Sequence, residues 1–154
     1  MPDVAYPEWA AEPDRMEDDL RRLLDHWRDL AGHDGVPDAA NLDLVTLPFP
    51  LADILILSAE NSPFSFRFDY TGSRWLMRFR REVTGRPLDE VACDPVGRCL
   101  SEALAHALGA TTPTCHRHAP DGRRCAGPLL VLPFSRADRS IDTFLVATVP
   151  WGSA

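Results

Sequence analysis

Three stretches of this chain are apolar at every position where a strand would point to either side, and no other feature narrows the fold as much. In ADILILSAE, Ile54 and Ile56 alternate with Leu55 and Leu57. GPLLVLPFS and SIDTFLVATVP repeat the pattern, giving expected strands over 52–59, 128–135 and 140–150. Successive strand residues face opposite ways, so such strands belong to a sheet covered on both sides. Each Leu or Ile left open would forfeit ~1.5–3 kcal/mol of burial. FSFRFDY differs. Phe64, Phe66, Phe68 and Tyr70 alternate with Ser65, Arg67 and Asp69, as in a strand with one wet face.

The covering layers must come from amphipathic helices, and three stretches qualify. Met16, Leu20, Leu23, Leu24, Trp27 and Leu30 recur at helical spacing, with Asp14 to cap the start and Gly32 to end it, so a helix is expected over 14–31. In YTGSRWLMRFRREVTGR, residues 70–86, two glycines fence a shorter pattern. Ser73 reads as N-cap and Gly85 as the terminating glycine, with Trp75, Leu76, Phe79 and Val83 on one face and Arg74, Arg78 and Arg81 on the other. Asp94-Pro95 then opens a third helix, since proline suits the first helical position. Its inward stripe is Val96, Cys99, Leu100, Ala103, Leu104, Ala107 and Leu108, and Gly109 closes it.

The order is therefore helix, two strands, short helices, a longer helix, then three antiparallel strands. At 154 residues one domain suffices. Residues 1–13 hold three of the 14 prolines and no periodicity, and are expected to be a loose arm. Residues 14–50 make the first helix and a proline-broken connector, and 51–151 the core.

Charge narrows the function. Residues 1–44 carry twelve acids against four arginines, a net −8, and the remainder carries eleven acids against twelve arginines, +1, which together make the overall −7. That balance excludes general phosphate-backbone binding. The arginines of 74–86 have no interleaved exposed aromatics and include Glu82 among them. They read as a solvated face able to pair with the acidic N-terminal segment. The start lacks the layout of a signal peptide, and no apolar run approaches the ~20 residues of a membrane span. A cytoplasmic location is expected, with reduced thiols at Cys93, Cys99, Cys115 and Cys125, which contain no Cys-x-x-Cys pair.

Catalytic signatures are missing: there is no Gly-x-Ser-x-Gly, no phosphate loop and no His-Glu-x-x-His. CHRHAPDGRRC is the one metal-like constellation. With Asp121-Gly122 as a two-residue turn, His118 and Cys125 become cross-strand neighbours and His116 shares their face. Zinc would need a fourth ligand that the local sequence does not supply, so solvated side chains and no metal are expected.

The residues LLDHWRDL, DYTGSRW, EVTGRPLDEV and LLVLPFSRADRSIDTFLVATVP, in this order and spacing over about 20–150, resemble the bacterial PAS-like family. The resemblance implies an α+β fold: a five-stranded antiparallel sheet, helices across one face, and an N-terminal amphipathic helix. It also implies a sensory or protein-interaction module. The flavin photosensors of that superfamily carry Asn-Cys-Arg-Phe-Leu-Gln, where this chain has only GRCLSEAL. Haem-binding relatives use a histidine on the long helix. The matching His106 lies outside the inward stripe and is expected to face solvent, which leaves the cofactor unnamed.

The expected site is a cavity or filled core bounded by Phe68, Tyr70, Trp75, Phe79, Leu100, Leu104, Leu132 and Phe144, each on an apolar face. The expected function is a sensory or regulatory module that takes a small ligand or a protein partner and signals in trans, as a homodimer, with no nucleic acid, membrane or catalysis. A ligand-free interaction adaptor is the alternative. The uncommitted stripe of the first helix is expected to cover the second sheet face, or to pair with its copy in a dimer.

Overall fold

In a computed structural model of the chain, the described residues are 16–32, 35–60, 65–118, 124–136 and 141–149. The expected arm and the Asp121-Gly122 turn lie outside them. Helix α1 is Asp18–Ala31, β1 Ile54–Glu60, β2 Ser65–Thr71, α2 Ser73–Phe79, α3 Pro95–Leu108, β3 Thr114–His118, β4 Arg124–Ser135 and β5 Ile141–Thr148. Short 3-10 turns occupy Ala39–Asn41, Leu51–Asp53 and Leu88–Val91. The five strands form one antiparallel sheet in the order β2-β1-β5-β4-β3.

Both faces of this sheet are covered, as its doubly apolar strands require. On one side α2, the 88–91 turn and α3 pack against Leu55, Leu57, Phe66, Phe68, Val131, Phe144 and Val146. On the other, Leu20, Leu23, Leu24 and Trp27 of α1 meet Ile54, Leu130, Leu132, Leu145 and Ala147. Helix α1 thus covers the far face within its own chain. The Trp27 indole N–H donates to the carbonyl of Pro133 at 2.8 Å. Pro133 lies in β4 beyond the start of the β3 pairing at Thr114↔Val131, where a residue without an N–H costs the ladder least. Two residues on, the freed edge of β4 is met by the connector, with Ser135 N–H donating to the Pro37 carbonyl at 3.0 Å.

The fenced helix is shorter than its sequence pattern. It stops at Phe79 because Arg80 adopts the left-handed conformation, with φ 59. Gly72, not Ser73, is its N-cap, and Gly85 is not its terminator. The residues after the helix run back along the outer edge of β2 instead. Gly85 N–H donates to the Phe68 carbonyl at 2.7 Å, Phe68 N–H donates to the Arg86 carbonyl at 3.1 Å, and Arg67 bridges Pro87. Gly85 sits at φ 83, which a glycine adopts without the cost of a side chain.

The arginines also pair differently from expectation. Arg74 and Arg78 turn to Asp53, and Arg81 and Arg86 both reach Glu90. Asp18 and Asp19 of α1 are taken by Arg21 and Arg22 one turn away, and Glu17 by Arg117 of β3. Among the described residues, α1 with its acids lies on the opposite side of the sheet from α2, which explains the different partners.

Candidate functional site

Six of the eight expected site residues converge on the face covered by α2 and α3: Phe68, Trp75, Phe79, Leu100, Leu104 and Phe144. Strand β2 offers Phe68 and β5 offers Phe144. Helix α2 contributes Trp75 and Phe79, four residues apart and so on one side. Leu100 and Leu104 of α3 repeat that spacing. All six are buried. Phe68 meets Phe79 edge-on at 5.5 Å between centroids, Trp75 stacks on Phe79 at 5.9 Å, and Phe66 meets Phe144 edge-on at 5.9 Å. These offset and T-shaped arrangements are the favourable ones for aromatic quadrupoles.

Tyr70 and Leu132 are placed elsewhere. Leu57 pairs with Phe68 and Ile56 with Tyr70, so Asp69 is an extra residue in β2, a β-bulge. The bulge turns Tyr70 to the α1 side, where it packs at the margin of that cluster and its hydroxyl donates to the Leu51 carbonyl at 3.3 Å. Leu132 pairs with Leu145 and shares its direction, toward α1. Neither residue touches the face that Trp75 lines.

A polar group closes one end of the helix-covered face, and sequence reading did not find it. Gly72 lets the chain turn hard against the 51–53 segment. A Cβ there would lie 2.3 Å from the Leu51 carbonyl oxygen, so no other residue fits. This close approach brings α2 over Asp53. The Asp53 carbonyl accepts from the Trp75 indole at 2.9 Å, and its carboxylate binds Arg74 through Oδ2 and meets Arg78 Nη2 at 3.7 Å through Oδ1. The Arg78 guanidinium lies 5.0 Å from the Trp75 ring centre. Burial lowers the pKa of Arg78 and Arg74 adds to that, while Asp53 opposes both. The only sequence signal was an acid, Asp53, at the head of an otherwise apolar strand.

The histidines occupy the other end of α3. His106 is exposed, as its position off the stripe implies, and stacks at 5.9 Å on His116. His116 was expected to be solvated but is only 5% exposed, because α3 lies over this end of β3. Its Nε2 hydrogen-bonds Thr114 Oγ1 at 2.9 Å, and burial, then the nearby His106, pushes its pKa down to about 4. Burial likewise pushes the Cys115 thiol up to about 11, which makes it a poor nucleophile. His118 pairs with Arg124, not Cys125, since the register shifts between His116 and His118. Among the described residues no group of three or more His, Cys, Asp or Glu is placed to hold a metal ion. No helix among them is long and apolar enough to cross a membrane.

Comparison with known proteins bears on the fold. A solved structure of an RNA-binding light-oxygen-voltage receptor is similar over 74% of this chain and 35% of that one, with 12% identity and a TM-score of 0.44. The chain thus spans about a third of that receptor's length. No match was found among curated proteins. The family profile of the PAS domain matches residues 16–148. That match takes in every element from α1 to β5, and on it the chain belongs to the PAS domain family.

Proposed function

We propose that this chain is a sensory or regulatory module whose input is a small molecule received between α2, α3 and the sheet, and whose output passes to a protein partner in trans. The observation that supports this best is the meeting of Phe68, Trp75, Phe79, Leu100, Leu104 and Phe144 beneath a helix of only seven residues. A helix that short depends on its packing rather than on its own hydrogen bonds, so it is the element a ligand can most easily shift. Membership of the PAS family supports a regulatory role over a catalytic one.

The close ring-on-ring contacts among these side chains support a second reading, in which the face stays filled and the module is a ligand-free adaptor. Native and denatured mass spectrometry of freshly purified protein separates the two. A small molecule retained in the native spectrum and lost on denaturation supports the sensor. An unliganded mass, together with no thermal shift from any member of a small-molecule library, supports the adaptor. The same native spectrum tests the homodimer expected from the sequence.

A further inference from the structure

Residues 73–84 leave β2 at Gly72 and rejoin it at Gly85, so both ends of this excursion are fixed to one strand. Gly72 N–H donates to the Ile54 carbonyl at 2.8 Å. At the other end, residues 85–87 form a strap along β2, in which Gly85 and Arg86 exchange hydrogen bonds with Phe68 at 2.7 and 3.1 Å. Between these anchors the backbone is self-contained. Among the described residues, the Trp75 and Leu76 N–H groups donate to the Gly72 carbonyl, Arg80 N–H to Leu76 and Arg86 N–H to Val83, all inside 72–86. The segment can therefore swing away from the sheet without costing the ladder a rung. Gly85 at its far end sits at φ 83, and Arg80 at φ 59 already breaks the helix partway along.

Two kinds of contact hold the segment down. Trp75, Phe79 and Val83 are buried against the helix-covered face. Such burial is non-directional, and the apolar surface of a guest molecule can replace it. The second kind is directional. Arg74 and Arg78, one turn apart on α2, both reach the Asp53 carboxylate, and the Trp75 indole donates to the Asp53 carbonyl at 2.9 Å. The Asp53 side chain is 8% exposed and that of Arg78 21%, so solvent screens their pairing little. Further along, Arg81 meets Glu90 at 3.0 Å, but both side chains are more open and such a pair contributes little. Asp53 itself belongs to the 51–53 turn at the head of β1, outside the segment it holds. We infer that residues 73–84 form a flap that opens away from the helix-covered face about its two glycine ends, with Asp53 as the latch that fixes the closed position. The inference rests on that face being the input site, to which the flap gives entry.

Native-state hydrogen exchange by NMR on the full chain reads the opening without any ligand. The Arg80 amide and the Trp75 indole report on the flap, the Phe68 and Gly85 amides on the strap, and the Trp27 indole on the opposite face of the sheet. In the parent, after correction for intrinsic rates, the two flap groups should be ~10-fold or more less protected than the other three. Asp53→Asn keeps the side-chain shape and should lower flap protection by a further ~10-fold, about the worth of a charged hydrogen bond, with the strap and Trp27 unchanged. Arg74→Gln changes an exposed residue that the fold does not depend on and should act in the same direction by ~2–5-fold. Equal protection of flap and strap in the parent would overturn the flap. A loss of protection in Asp53→Asn that Trp27 shares, or that the flap groups do not show, would overturn the latch. If Asp53→Asn does not fold, Arg74→Gln is read by the same two criteria. The native mass measurement decides separately whether the module binds a ligand, and an unliganded mass leaves the exchange result standing.

Discussion

The two faces of the sheet bury similar kinds of strand residue but are covered in different ways. The far face is covered mainly by the fourteen-residue α1, which offers leucines and a single tryptophan anchored on the Pro133 carbonyl, with Phe49 and Leu42 of the connector beside it. The near face is covered piecemeal by a seven-residue helix, a 3-10 turn and α3, with stacked aromatics at its centre. A cover built on one long helix suits a permanent seal. A cover of short pieces, each held by a few contacts, can be displaced in parts, so the asymmetry separates the structural side of the sheet from the side suited to exchange.

The severest way to break this comparison is to remove α1. Leu20, Leu23, Leu24 and Trp27 are each at most 5% exposed, and at ~1.5–3 kcal/mol apiece their loss approaches the whole stability of a domain this size. Deletion of residues 1–32 should give aggregated or unfolded protein by size-exclusion chromatography with light scattering. A soluble, equally stable product would refute the sealing role. Next comes the near face. Trp75→Ala should cost ~3–5 kcal/mol in denaturant unfolding and leave the α1 side folded.

How far these faces can be read from the sequence depends on the strand. The doubly apolar runs require two layers, and α1 and α3 follow from their stripes. Alternation alone cannot locate the bulge. From Phe64 to Tyr70 the pattern is unbroken, and only pairing with β1 makes Asp69 supernumerary and turns Tyr70 to the other side. Leu132 fails for a related reason. A run apolar at every position carries no information about which parity faces which layer, and the choice is made by the register with β5. The end of α2 at Arg80 was hidden as well, because the competing hydrogen bonds come from the edge of β2, distant in sequence. Asp53 falls within the expected strand 52–59 with nothing nearby to mark its role, because its partners follow about twenty residues later.

A smaller effect sharpens the comparison through pH. His116 is held neutral by burial, with a folded pKa of about 4 against an ordinary 6.5. Between these values the unfolded chain binds the extra proton, so stability rises with pH and is lost as pH falls from about 6.5 toward 4, by up to roughly 3 kcal/mol. Equilibrium unfolding across that range should show the slope, and His116→Gln should flatten it. The smallest expected effect returns to the far side. Trp27→Phe leaves the Pro133 carbonyl without its indole donor and should cost ~1–2 kcal/mol, read as a lower denaturation midpoint with no change in response to near-face ligands. A change in that response would mean that the two faces are coupled.

The strap along β2 bears on how copies of this protein can stick together. A β-sheet grows by adding strands at its edges, and an endless stack needs two open edges per copy, as a linear polymer needs two reactive ends per monomer. Here Phe68 already exchanges both of its backbone groups with residues 85 and 86. The folded chain therefore has a functionality of at most one for edge-to-edge growth, and acts as a chain stopper. Any pairing through the remaining edge terminates at two copies, so fibrillar growth would require the strap to come away first.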